Sequence, residues 1–240
     1  MLNVFKGMKS KKLITWVLFL ISILLSACVS NQQLSDDHIF PTEYPGYILT
    51  WLEQQPGEPE HQVRMFITEN YLRIEHDSTR NNYIIFNKNE NVIYRYTDKN
   101  EAPIVISAKL GISQKNSKPH WQEQGETSQA LVRKKPEDSS EVMHYKYSLG
   151  SSVCYNVVSV NHYLQDVLPL LKAYQALHVV EQDDMSLLED KNKACYAAIN
   201  LDDPNKRYEK GFPIREWTAY GYQRFLVDYK MVSLAASNFQ

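Results

Sequence analysis

The sequence predicts an α+β domain in which a meander of antiparallel strands carries helices inserted between its late strands. Three observations lead to that expectation. Apolar and polar residues alternate in short runs across residues 47–107 and again across 142–160, the period of strands with one buried face. The connections between the earlier runs are brief, which forces antiparallel pairing, because a parallel return needs a dozen or more residues. After Val160 the apolar spacing changes to three and four, as in an amphipathic helix, before alternation resumes at Ile214.

The chain opens on a segment of different character. Lys6, Lys9, Lys11 and Lys12 stand among no acidic residues, and an apolar run from Leu13 to Leu25 follows, broken only by Thr15 and Ser22. It ends in Ser26 and Ala27 before Cys28. These are the basic, apolar and small-residue parts of a secretory signal. The run is shorter than the roughly 20 apolar residues that span a bilayer. Leu25-Ser26-Ala27-Cys28 resembles the bacterial lipobox at all four positions. The resemblance implies cleavage after Ala27 and lipid on Cys28, so that several acyl chains at about 0.8 kcal/mol per buried methylene give stable anchoring. The alternatives are an ordinary signal cut at Ala27, or an uncleaved anchor. Val29 follows the lipid site where an aspartate would retain the protein at the inner membrane in enterobacteria-like sorting, so the expected location is the outer membrane, facing the periplasm.

Residues 28–45 are polar, with Pro41 and Pro45, and are expected to tether a single domain over residues 46–240. The four signal lysines leave with residues 1–27, so of 26 basic residues 22 remain against 28 acidic ones, a net charge of −6. Nucleic acid is excluded as a partner, because binding it needs clustered cations. With Cys28 assigned to lipid, Cys154 and Cys195 remain as a pair in an oxidising compartment and are expected to form a disulfide. Two separate buried thiols are the alternative.

The strands follow in order. Tyr47, Leu49 and Trp51 share one face and Ile48, Thr50 and Leu52 the other. Residues 54–60, with Pro56, Gly57 and Pro59, form a turn. Val63, Met65 and Ile67 alternate with Arg64, Phe66 and Thr68, and Leu72 and Ile74 with Tyr71, Arg73 and Glu75 after the turn at Glu69-Asn70. Tyr83 to Phe86 and Val92 to Tyr96 flank a polar loop, and Ile104 to Ile106 add a short strand. Residues 111–141 carry little apolar pattern and read as a loop or irregular strands. Val142 to Leu149 and Val153 to Val160 form a hairpin around Gly150.

Leu164, Val167, Leu168, Leu171, Tyr174 and Leu177 mark a helix, with Pro169 either in its early turns or at a kink. A second helix is expected between Ser186 and Ile199, so that a disulfide from Cys195 would tie this insert back to the sheet. Ile214, Glu216 and Thr218 then alternate with Arg215, Trp217 and Ala219, and a last strand covers Gln223 to Val232.

Val63-Arg64-Met65-Phe66-Ile67 running into Tyr71-Leu72-Arg73-Ile74-Glu75, then Tyr83-Ile84-Ile85-Phe86 and Val92-Ile93-Tyr94-Arg95-Tyr96, resemble a broad group of bacterial envelope proteins that includes the lipoprotein carriers LolA and LolB. Gly211-Phe212-Pro213-Ile214 resembles a turn that opens a late strand there. The resemblance covers about half of the mature chain. It implies a strongly curved antiparallel sheet, an incomplete barrel, with helices covering its open side and an apolar cavity for acyl chains. The Cys154 and Cys195 region departs from the Lol carriers.

Chemistry of other kinds has little support. The seven histidines, His38, His61, His76, His120, His144, His162 and His178, show no metal-motif spacing. Ser151-Ser152 lacks the glycine pattern of a nucleophile turn, and Glu75-His76-Asp77 and Asp202-Asp203 lack that of a calcium loop. The sixteen tyrosines suit strands or the lining of a groove. No cofactor, metal or catalytic residue is expected. The sequence thus points to a non-enzymatic binding domain, anchored through Cys28, for a lipid, an acyl chain or a lipoprotein. An envelope assembly factor that docks a protein partner without a cavity is the second reading.

Overall fold

Alternating side chains and short turns produce one sheet, on which two short helices are mounted among the described residues. The computed structural model describes residues 42–76, 82–97, 102–107, 118–127, 141–178 and 190–240. The signal, Cys28 and the tether as far as Pro41 lie outside the described residues. The strands are β1 (Glu43–Gln54), β2 (His61–Ile67), β3 (Tyr71–His76), β4 (Tyr83–Asn87), β5 (Val92–Tyr96), β6 (Ile104–Ser107), β7 (Gln122–Thr127), β8 (Val142–Leu149), β9 (Ser152–Val160), β10 (Phe212–Thr218) and β11 (Gln223–Ala235). Between β9 and β10 stand α1 (Leu168–His178) and α2 (Asp190–Ala197), the latter running into a wide π-helical turn at Ala198–Asp202.

All eleven strands belong to one sheet, in the order β6-β5-β4-β3-β2-β1-β11-β10-β9-β8-β7, and every pairing is antiparallel. Each strand lies beside its sequence neighbour and β11 returns to β1, so the order is a ring open only between β6 and β7. Among the described residues no pairing joins β6 to β7, which form the two edges of the sheet. The sheet is curved and does not close into a barrel.

Where the sheet joins, β1 and β11 pair from Glu43↔Ala235 to Gln54↔Gln223, with one irregularity between Thr50 and Trp51. Residues 43–45, whose composition suits a tether, are therefore part of the sheet, drawn in by partners at Ser233 to Ala235. Gly46 permits the close approach there. A side chain on it would collide with the Ile67 carbonyl and Leu234.

α1 leaves the chain after β9 yet packs against β3 and β5 across the sheet, so the curved sheet wraps it. Leu168, Leu170, Leu171, Tyr174 and Leu177 of the helix meet Leu49, Trp51, Val63, Ile67, Leu72, Phe86, Ile93, Val158 and Phe212 in the main core. Pro169 falls in the first helical turn, where its missing N–H costs no intrahelical bond. A smaller cluster holds Tyr147, Cys154, Tyr155, Val157, Cys195 and Ile199. Cys154 is the extra residue of a bulge, because Tyr147 pairs with Tyr155 and Ser148 with Val153, and the bulge turns it into this cluster. β7, in a stretch with no apolar pattern, is an edge strand exposed along its whole length and held by β8.

Candidate functional site

Inner faces of the first strands, the end of α1 and the π-helical turn surround a half-open cleft of about 380 Å³. Its first wall is aliphatic. Val63 and Met65 of β2, Ile74 of β3 and Ile84 of β4 line it, the first three at alternating positions that the sequence assigns to one strand face. The roof is aromatic and polar, from Tyr174, Gln175 and His178 of α1 with Tyr196 of α2. Tyr174 is held in place by Phe86, with ring centroids 5.9 Å apart.

The opposite wall carries charge. Glu53, Arg207 and Arg224 line the cleft there, and behind them lies Glu216, which has no solvent exposure; a further cation, Arg95, stands beside Ile84 as its cross-strand partner. Glu216 is the centre of a buried network. Tyr155 donates to its Oε1 at 2.5 Å, and Arg224 donates through Nε to its Oε2. Arg224 also approaches Glu53, at 3.8 Å, and lies over the Trp51 ring at 4.7 Å. Arg207 donates to Asn200 Oδ1 at 3.0 Å, while Asn200 donates to the Tyr220 hydroxyl at 2.9 Å.

Electrostatics follow from that packing. Burial pushes the Glu216 carboxyl up, but Arg224 and Arg207 and the hydrogen bonds from Tyr155 and Arg224 outweigh it, so its pKa is held below the usual carboxylate range. Burial opposes the charge of Arg207 and Arg224, and Glu216 overcomes this for both. At the rim, burial lowers the His76 imidazole against the pull of Glu53, with His61 adding to the lowering. His76 is therefore neutral at neutral pH.

Of the residues singled out in the sequence, Cys28 lies outside the described residues. Cys154 and Cys195 form a disulfide with Cα atoms 5.0 Å apart. The bond fixes the start of β9 to α2, and α2 and the turn after it supply Tyr196 and Asn200 to the cleft. Glu75 is engaged by Arg64 at 2.9 Å and Arg73 at 2.8 Å, and Asp203 accepts from the Trp121 indole at 3.1 Å. Neither acidic group belongs to the cleft. The tyrosines divide, since Tyr147 and Tyr155 are core while Tyr174, Tyr196, Tyr220 and Tyr222 line the site.

Sequence reasoning did not find the charged wall. A signal was present in strand parity: Glu216 sits on the face of Ile214 and Thr218, both buried, and Glu53 continues the buried face of Leu49 and Trp51. A charge repeated at an inward position marks a buried ionic group.

No family model matches the sequence, and no curated protein matches it. Among solved structures the chain is similar to PNGF-II in two crystal forms. One gives a TM-score of 0.40 at 10% identity over 82% of this chain, the other 0.36 at 9% over 78%. The chain spans 30% and 28% of the length of those two chains. It is also similar to the LolA superfamily protein NE2245 from Nitrosomonas europaea, with a TM-score of 0.32 at 10% identity, over 84% of this chain and 91% of that one. Every one of these TM-scores is 0.40 or lower, and what the cleft can bind follows from its own residues.

Proposed function

We propose that this chain is an envelope lipoprotein, held at the outer membrane through lipid on Cys28, whose domain is a non-catalytic module that takes the apolar chain of a lipid or acylated protein into its cleft. The supporting observation is the aliphatic lining of the half-open cleft, where Val63, Met65 and Ile74, buried side chains of the core, border the space together with the half-buried Ile84. Each methylene that leaves water there contributes about 0.8 kcal/mol. The volume of about 380 Å³ lies near the lower end of the 300–1,000 Å³ typical of small-ligand sites. It suits one chain better than the several chains of a lipoprotein anchor. Among the two readings from the sequence, a docking factor without a cavity accounts for this space less well.

Photoactivatable hexadecanoate added to the protein in membranes tests the reading. Labelled peptides are expected to fall in β2 to β4. Ile84→Glu, which places a charge in the aliphatic wall, is expected to cut that labelling by about tenfold or more, since burying an unpaired charge opposes an apolar ligand. Labelling spread evenly over the surface, unchanged in Ile84→Glu, would sink the proposal.

A further inference from the structure

The chain-binding reading leaves the charged wall without a task, and its chemistry is specific. Arg207 and Arg224 are each 7% exposed and both line the cleft. Arg224 is consumed by Glu216 and by Glu53. Arg207 is not consumed in the same way. Its one side-chain hydrogen bond among the described residues is to the neutral Asn200, and its Nε is buried with no partner. A buried guanidinium donor left unmade is costly, because the group has lost its water without gaining an acceptor. We propose that the Arg207 end of the cleft receives an anionic oxygen-bearing head group, a carboxylate or phosphate, of an amphiphile whose single chain lies along the Val63, Met65, Ile74 and Ile84 wall.

The geometry supports the assignment from both sides. Arginine presents a planar fork of donors that matches the oxygens of carboxylates and phosphates. Asn200, which accepts from the Arg207 guanidinium, holds that fork in position before a ligand arrives, so less ordering is needed on binding. Charged and aliphatic residues line the same cleft, as an amphiphile requires, and Arg95, the cross-strand partner of Ile84, places a second cation along it. The disulfide between Cys154 and Cys195 supports the same end, since it anchors the helix that leads into the turn carrying Asn200.

This inference rests on the chain-binding reading, and one experiment separates the two. The full-length protein in phosphatidylcholine vesicles is labelled in the cleft with photoactivatable hexadecanoate. Unlabelled hexadecanoate, hexadecyl phosphate, hexadecanol and inorganic phosphate then compete. Hexadecanoate and hexadecyl phosphate are expected to compete at concentrations at least about tenfold below hexadecanol, the size of a charged hydrogen bond. In Arg207→Lys, which keeps the charge near Glu216 but loses the planar fork, the gap is expected to fall to within about threefold, and an undiminished gap in this variant would overturn the role given to Arg207. Arg207→Gln, which also withdraws the charge from Glu216, is read the same way once urea unfolding shows that it folds. Equal competition by hexadecanol in the unsubstituted protein would overturn the head-group inference alone. Inorganic phosphate competing as well as hexadecyl phosphate would overturn the amphiphile in favour of a free anion. Failure of every chain-bearing competitor would overturn the chain-binding reading and this inference with it.

Discussion

At the scale of residues, Glu216 decides how the inside of the domain can carry charge. It is fully buried, and two arginines depend on it. Removing one member of such a network leaves the others uncompensated, which typically costs about 3–5 kcal/mol. Glu216→Gln is therefore expected to lower stability by about that amount at neutral pH, measured by urea unfolding. The pH dependence has a definite sign. The carboxyl is held below its ordinary value of 4.5 in the folded state, so its contribution is present above the unfolded carboxylate value and is lost as pH falls through the folded one. The acid limb of the stability curve is expected to be shallower in Glu216→Gln, and identical curves would contradict the role given to this residue. In the sequence, Glu216 was visible as a member of an alternating strand and invisible as a centre of charge. Alternation reports which face a residue takes, and nothing local reports that Arg224, Arg207 and Tyr155 converge on it from other elements.

At the scale of elements, the legible parts are those whose own side chains feed the core. Val142 to Leu149 is found unchanged as β8, and the helix marked by Leu164 to Leu177 is found as α1, beginning only at Leu168. β7 escaped because an edge strand with no buried side chain has no apolar period to show. The start of β1 escaped because Glu43 to Pro45 join the sheet through backbone pairing with β11, not through apolar side chains. α2 is short, and its attachment depends on Cys195 more than on an apolar stripe. Closing a loop of 41 residues restricts the unfolded chain by about 4 kcal/mol on the entropic model. Cys195→Ala is expected to lower the unfolding free energy by about 3–4 kcal/mol, and a reducing agent is expected to do the same to the unsubstituted protein but nothing further to the variant. A loss below about 1 kcal/mol would mean that packing at Ile199 and Tyr155 suffices to hold α2.

At the scale of the whole molecule, the curved sheet was legible as a meander, while its size and its opening were not. Period and turn length say that neighbours pair. They do not say how many strands the sheet holds, nor that β6 and β7 end as its two edges. The cleft is likewise a property of assembly, since its walls come from β1 to β5, α1, α2 and the β10–β11 hairpin. Anchorage belongs to this scale as well. Cys28→Ser is expected to move the protein out of the lipid-modified pool, read as loss of radiolabelled palmitate incorporation and loss of the globomycin-sensitive precursor. Undiminished incorporation would place the lipid elsewhere.

The pairing of β1 with β11 bears on the time at which the domain can fold. β1 lies in the middle of the sheet, sixth of eleven strands, yet its partner is the last strand of the chain, with Glu43 opposite Ala235. A chain that emerges from a membrane amino end first would present β1 early and β11 last, and contacts so distant in sequence form slowly. In the interval the middle strand has one bare backbone edge, the condition in which strands pair with the wrong partner. In a protein exported as proposed, the sheet would therefore be complete only once β11 has reached β1, the seam beside which the cleft lies.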